Sequence, residues 1–280
     1  MATRREIFNQ LCGIAAELYG EAEARQIAEM IVTHRGGISR NALIIDPNIP
    51  LEIDDLEVVK SQLAAWRPVQ YILGVADFAG MELKVKEGVL IPRPETEELV
   101  EWVAAECGRG ANILDVGTGS GAIAIALARY VADSKVWAMD ISEDALGVAR
   151  RNAEEYAPGV EFLRGDALKD FSHIVGESLD VVVSNPPYIP LSDKSLMRPN
   201  VVDHEPSLAL YVPDDDPLVF YRSIARSARK MLKSGGKLYY EIYELLADDM
   251  CSMLANEGYR NICLREDFRG KKRMICAEVE

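Results

Sequence analysis

Asn185, Pro186, Pro187 and Tyr188 follow one another in this chain, and together they offer many hydrogen-bond acceptors and few donors. Two successive prolines fix the backbone and remove two N–H groups. What remains is the side-chain oxygen of Asn185, the backbone carbonyls and the flat ring of Tyr188, which can act as a wall. Such a pocket suits a planar NH₂ group with two donors. An amide nitrogen is a poor nucleophile because its lone pair is delocalised into the carbonyl. If Asn185 Oδ1 and the Pro186 carbonyl each accept one N–H, the nitrogen is drawn toward a geometry with a more available lone pair. That lone pair can then attack an activated methyl donor in line. No metal is needed, and positioning and electrostatics supply most of the acceleration. The plain alternative is a rigid Pro-Pro turn after a strand.

A second group precedes it. In Asp115-Val-Gly-Thr-Gly-Ser-Gly, Gly117, Gly119 and Gly121 alternate with Thr118 and Ser120. Glycine lets backbone approach a ligand closely, and the loop opens a helix whose free N–H groups favour a carboxylate or phosphate. Asp140 lies about 20 residues on, where an acid can accept hydrogen bonds from both hydroxyls of a ribose. That arrangement fits NAD and S-adenosylmethionine equally; alternatively Asp140 is a helix N-cap competing with Ser142. Asp166, followed by Ala167, could accept from an adenine amino group or be an ordinary turn aspartate. Glu95 and Thr96 read as capping groups at a helix start.

These residues need a scaffold that brings them together. From residue 111 onward, strands and helices alternate. Apolar strands are expected at 112–116, 135–139, 160–163, 179–183 and 237–242, helices from 122, at 144–156 and at 217–232, and two closing strands near 259–264 and 274–279. Such alternation implies a parallel sheet covered on both faces, with the site at the strand ends. Each chemical group above falls at such an end. Residues 1–67 show helical spacing (Ile7, Leu11, Leu18; Ala24, Ile27, Ile31; Leu56, Val59, Leu63) and no chemical constellation. Residues 68–97 read as a hairpin linker, with a strand over 81–86 turning at Glu87-Gly88 into Val89-Leu90-Ile91. Residues 98–280 form the catalytic domain.

Composition narrows the function. The net charge of −14 disfavours generic nucleic-acid binding, which needs a basic surface. The one dense basic group, residues 269–273, reads as a solvated turn or a local basic rim. No signal peptide or bilayer-spanning stretch is expected. Cys12, Cys107, Cys251, Cys263 and Cys276 are scattered without metal spacing, as in a reduced cytoplasmic protein.

The chain resembles the protein-(glutamine-N5) methyltransferases of the PrmC/HemK family. The resemblance rests on PVQYILG at 68–74, VLIPRPETEELVE at 89–101, DVGTGSGAIAIALA at 115–128, NPPYIP at 185–190, Glu205-Pro206 and residues 218–242. It implies an α/β fold: a Rossmann-like seven-stranded S-adenosylmethionine-dependent methyltransferase domain, a small N-terminal helical domain and a β-hairpin linker. It implies cofactor contacts from Gly117, Thr118, Gly119, Ser120, Gly121, Asp140, Asp166, Ala167 and Asn185. The substrate glutamine, in the GGQ motif of class-I peptide chain release factors, is implied to be held by Asn185, Pro186, Pro187 and Tyr188. S-adenosylhomocysteine is then the product and release factors the protein partners. A single glutamine offers little selectivity, so the helical domain at 1–67, with the hairpin, is expected to be the recognition element. Three features depart from the family: Ala167 where an aromatic is common, Glu241-Ile242-Tyr243 where glycine often follows the isoleucine, and residues 211–217 in place of a glycine-containing stretch.

Three rivals share parts of the pattern. A methyltransferase acting on nucleic-acid amino groups would use the same pocket but not this charge. A nicotinamide dehydrogenase would explain the glycines and Asp140 but leave Asn185 to Tyr188 without a role. A non-catalytic binding protein would have no need of Asn185.

Overall fold

The computed structural model describes all 280 residues. In chain order it contains α1 (Arg4–Tyr19), α2 (Glu21–Gly36), α3 (Arg40–Ile45), α4 (Leu56–Ala64) and α5 (Val69–Leu73), then β1 (Val75–Phe78) and β2 (Met81–Lys84). The alternating part follows: α6 (Pro94–Glu106), β3 (Asn112–Val116), α7 (Ala122–Tyr130), β4 (Lys135–Asp140), α8 (Glu143–Tyr156), β5 (Glu161–Arg164) and β6 (Leu179–Ser184). Two-residue strands β7 (Ile189–Pro190) and β8 (Tyr211–Val212) flank the short α9 (Pro199–Val202). The chain ends with α10 (Val219–Met231), β9 (Leu232–Glu241), α11 (Ala247–Asn256), β10 (Arg260–Glu266) and β11 (Lys272–Glu278).

Two compact units result. The first comprises residues 1–75 together with 198–204. Thr3 and Glu6 cap α1 reciprocally, Glu6 N–H donating to Thr3 Oγ1 at 3.2 Å and Thr3 N–H to Glu6 Oε2 at 2.8 Å. The helical spacing read from the sequence places Ile7, Leu11, Ala24, Ile27, Ile31, Val59 and Leu63 in one buried core. The 198–204 segment is tied into the same unit by Arg198, which donates to Glu23 at 2.8 Å.

The second unit comprises residues 76–197 and 205–280. Its seven-stranded sheet has the order β10-β11-β9-β6-β3-β4-β5. Pairings among β9, β6, β3, β4 and β5 are parallel. The sheet is mixed rather than parallel throughout, because β11 runs antiparallel to both neighbours. Only five residues join β10 to β11, enough for a hairpin and too few for a crossover helix. Alternate strand residues point to opposite faces. Ile113, Val136, Val181 and Tyr239 enter one core with α6 and α7, while Leu114, Trp137, Val182 and Tyr240 enter the other with α10 and α11.

The hairpin differs from expectation. Its turn is Ala79-Gly80, both at positive φ (50° and 70°), and it pairs β1 with β2. Two such residues give the twist that favours a tight hairpin. Residues 85–91 form no strand, although Val85, Val89 and Ile91 are buried. Ile91 N–H instead donates to the Glu205 carboxylate at 3.2 Å.

Candidate active site

The chain runs β3, β4, β5 outward on one side of β3, then returns to place β6 on the other. Ligands bind at the carboxyl ends of strands around such a reversal. A cavity of about 280 Å³ opens there.

The glycine loop leaves β3 after Asp115, which is wholly buried. Thr118 Oγ1 donates to Asp115 Oδ2 at 2.6 Å and Ala124 N–H at 3.2 Å. Asp115 Oδ1 has no partner. Burial pushes the carboxyl up to about 7, against the two hydrogen bonds. Gly117 and Gly119 have φ of 77° and 57° with open space where a Cβ would stand. Gly121 is different. A Cβ there would lie 2.9 Å from Ile125 Cδ1 and 3.1 Å from Ala149 Cβ, so this glycine lets α7 and α8 approach. Gly117, Thr118, Gly119 and Ser120 line the cavity; Gly121 does not. Asn152, on α8, braces the loop from behind by donating to the Ser120 carbonyl at 2.9 Å.

Asp140 ends β4 and faces the same cavity. Its Oδ2 accepts Gly119 N–H at 2.9 Å and its Oδ1 accepts Ser142 N–H at 2.9 Å. Burial raises its pKa, opposed by the N–H groups of Ser142, Gly119 and Ile141. The N-cap of α8 is Ser142, whose hydroxyl accepts Ala145 N–H at 3.2 Å. Asp140 is therefore not the cap, and its carboxylate keeps accepting capacity for a ligand. Asp166 and Ala167 also line the cavity. Asp166 makes an ordinary turn as well, accepting Leu168 N–H at 2.9 Å. The Ala167 carbonyl accepts Ser223 Oγ at 2.6 Å.

Asn185, Pro186 and Pro187 follow β6 and line the cavity beside Ser184. Tyr188 does not. Its ring stacks on Tyr243 with centroids 6.2 Å apart, and its hydroxyl donates to Glu241 Oε1 at 3.2 Å. Burial and the Glu241 charge push the phenol pKa up. Asn185 Nδ2 donates to Thr96 Oγ1 at 3.3 Å, and Thr96 Oγ1 donates to Glu241 Oε2 at 2.6 Å. Thr96 is buried and lines the cavity. It caps nothing: the N-cap of α6 is Arg93, with no side-chain cap. Glu95 makes no cap hydrogen bond but stands in the first turn of α6, where its charge suits the positive end of the helix. Glu205 holds the turn before α6, accepting Arg93 at 2.6 Å in addition to Ile91 N–H.

Sequence reasoning missed Thr96, Asn152 and Glu241 as site groups. A buried acid at the end of a central strand was the one available signal for Glu241. The arrangement sets a glycine loop and a carboxylate able to hold a polar ligand in the same cavity as an acceptor edge able to hold an NH₂ group.

Comparison with known proteins bears on this arrangement. Residues 108–271 match a family described as a methyltransferase domain. A release factor glutamine methyltransferase of Bacteroides thetaiotaomicron is 42% identical over 264 residues, covering 93% of this chain and 95% of that protein. One from Geobacter sulfurreducens is 33% identical over 280 residues, covering 99% and 97%. Among solved structures, a methyltransferase from Pyrococcus furiosus aligns with a TM-score of 0.53 at 19% identity, covering 71% of this chain and 89% of that one. That likeness concerns the fold alone.

Proposed function

The chain belongs to the release factor glutamine methyltransferases, and on that premise we propose that it methylates the side-chain amide nitrogen of the glutamine in the GGQ motif of class-I release factors. The observation that carries this reading is the acceptor edge of Asn185-Pro186-Pro187 in the same cavity as Asp140 and the glycine loop.

The residues fit the donor, S-adenosylmethionine. Gly117 to Ser120 offer backbone beside the positive end of α7, suited to its carboxylate. Asp140 suits its ribose hydroxyls, and Asp166 with Ala167 its adenine. Bound there, the donor supplies an electrophilic methyl carbon and leaves as neutral S-adenosylhomocysteine. The chain's own part is to hold the nucleophile. Asn185 Oδ1 and the Pro186 carbonyl each accept one N–H of the glutamine, fixing the nitrogen and favouring charge that develops on it. Those N–H groups become acidic as the new N–C bond forms, and one proton passes to water. Pro187 keeps the turn rigid. Tyr188, anchored on Glu241, backs it rather than touching the amide.

The release factor is a protein partner. The net charge of −14 argues against nucleic acid as a direct partner. No helix is long and apolar enough to cross a membrane, and a substrate that works in translation implies a cytoplasmic enzyme. A glutamine alone carries little selectivity, so recognition falls to contacts remote from it. We assign that role to the helical unit, expected from sequence at 1–67, and a linking role to the hairpin segment, 68–97, ahead of the catalytic domain at 98–280.

The test is incubation with labelled S-adenosylmethionine and purified release factor. Label is expected on the GGQ glutamine. Asn185→Ala is expected to lower turnover at least about 100-fold while cofactor binding persists. Near-normal turnover in that variant would remove the amide pocket from the mechanism.

A further inference from the structure

Asn185 can do its work in only one of two orientations. Its amide has an acceptor edge, Oδ1, and a donor edge, Nδ2. A substrate NH₂ needs the acceptor edge. Turned over, the same side chain would offer donors and suit a carboxylate.

The groups behind it choose the orientation. Glu241 ends β9, is 1% exposed, and spreads its carboxylate between two hydroxyls. Oε1 accepts Tyr188 at 3.2 Å and Oε2 accepts Thr96 at 2.6 Å. A carboxylate only accepts, so it claims the single proton of the Thr96 hydroxyl. Thr96 Oγ1 is then left with lone pairs and can only accept from Asn185. The 3.3 Å contact is therefore satisfied by Nδ2 and not by Oδ1. Oδ1 is turned away from Thr96. A buried charge thus reaches the pocket as a fixed direction of hydrogen bonding. Burial raises the Glu241 pKa above its ordinary value, against the hydrogen bonds from Thr96 and Tyr188 and the charge of Arg273, and the relay operates with the carboxylate ionised.

We propose that Glu241 and Thr96 are positioning residues that fix the polarity of Asn185, and that this relay makes the pocket select a glutamine amide over a glutamate carboxylate. The proposal rests on the reading of Asn185 as the group that holds the substrate amide. It gives the buried strand-end acid a part in specificity although it lies outside the residues lining the cavity.

Glu241→Gln keeps the shape and reverses the logic. A glutamine there can donate to Thr96, freeing the hydroxyl proton for Asn185 Oδ1 and letting the amide turn. Thr96→Val removes the hydroxyl at nearly constant volume, and Thr96→Ser restores it. The experiment uses the full-length enzyme with release factor, and peptides ending the motif in Gln or Glu as competitors. Glu241→Gln and Thr96→Val are expected to lower kcat about tenfold or more, with cofactor affinity within about twofold of wild type. Thr96→Ser is expected to recover most of the turnover. In Glu241→Gln the Glu peptide is expected to gain on the Gln peptide as inhibitor by about fivefold or more. Full turnover in both Glu241→Gln and Thr96→Val, an unchanged peptide preference in Glu241→Gln, or parallel loss of cofactor binding and melting temperature in both overturns the relay. Turnover surviving Asn185→Ala sinks the underlying reading instead; a dead Asn185→Ala beside a fully active Thr96→Val sinks the relay alone.

Discussion

The backbone N–H of Gly119 meets Asp140 Oδ2 at 2.9 Å, so the acid that ends β4 holds the middle of the loop that leaves β3. One carboxylate both shapes the loop and faces the cavity. Asp140→Ala should therefore weaken S-adenosylmethionine binding by about 1–3 kcal/mol, the order of charge-assisted hydrogen bonds. Calorimetric titration of the folded variant checks this. Unchanged affinity would remove Asp140 from the ribose site.

Gly119 and Gly121 should respond differently to alanine. At Gly121 the added methyl meets Ile125 Cδ1 at 2.9 Å and Ala149 Cβ at 3.1 Å, at a φ of 86°. Gly121→Ala should cost about 2–4 kcal/mol of stability through strain and overpacking. At Gly119 there is open space, so only the backbone strain remains, about 1–2 kcal/mol. Gly119 lines the cavity, so cofactor affinity should suffer more than stability. Melting curves beside cofactor titrations separate the two; equal stability losses would contradict the packing role of Gly121.

Asp115 should make stability depend on pH. Its folded pKa, about 7, lies above the ordinary 3.8 because burial disfavours the charge. Folding then takes up a proton between those values. The contribution is full below pH 4 and is lost as the pH rises toward 7, by an amount on the order of a few kcal/mol. Asp115→Asn should flatten that part of the denaturation profile measured between pH 4 and 8. An identical slope in the variant would assign the titration elsewhere.

Removing the helical unit should separate recognition from chemistry. A chain starting at Ala76 keeps the glycine loop, Asp140 and Asn185, and should still bind S-adenosylmethionine. It should lose most of its kcat/KM toward intact release factor and much less toward a short GGQ peptide. Residues 198–204, which belong to the helical unit, lose their packing partners, so a melting curve accompanies the assays. Equal losses on protein and peptide would rule out the recognition role.

Much of the scaffold was legible in the sequence. Strand, glycine loop and helix around Asp115, and the strand ends carrying Asp140 and Asn185, are local patterns. Each element advertises itself through periodicity, and loops at the ends of alternating strands must share one edge of the sheet. The direction of β11 was not read that way, since it depends on the five-residue link to β10 and not on the strand's own residues. The hairpin was misplaced because residues 85–91 bury Val85, Val89 and Ile91 without forming a strand, and alternation reports burial before it reports a ladder.

The sequence by itself therefore determined which chemical groups this protein owns and at which strand ends they stand. Tertiary structure decided which of them are in contact and which way each hydrogen bond runs. Thr96 sits 89 residues from Asn185 and 145 from Glu241. Its local pattern reads as a helix start, and the family phrase around it assigns it no partner. A hydroxyl can donate or accept, and an amide can turn over. Their direction is settled only by the partner that folding brings within about 3 Å, here a buried carboxylate.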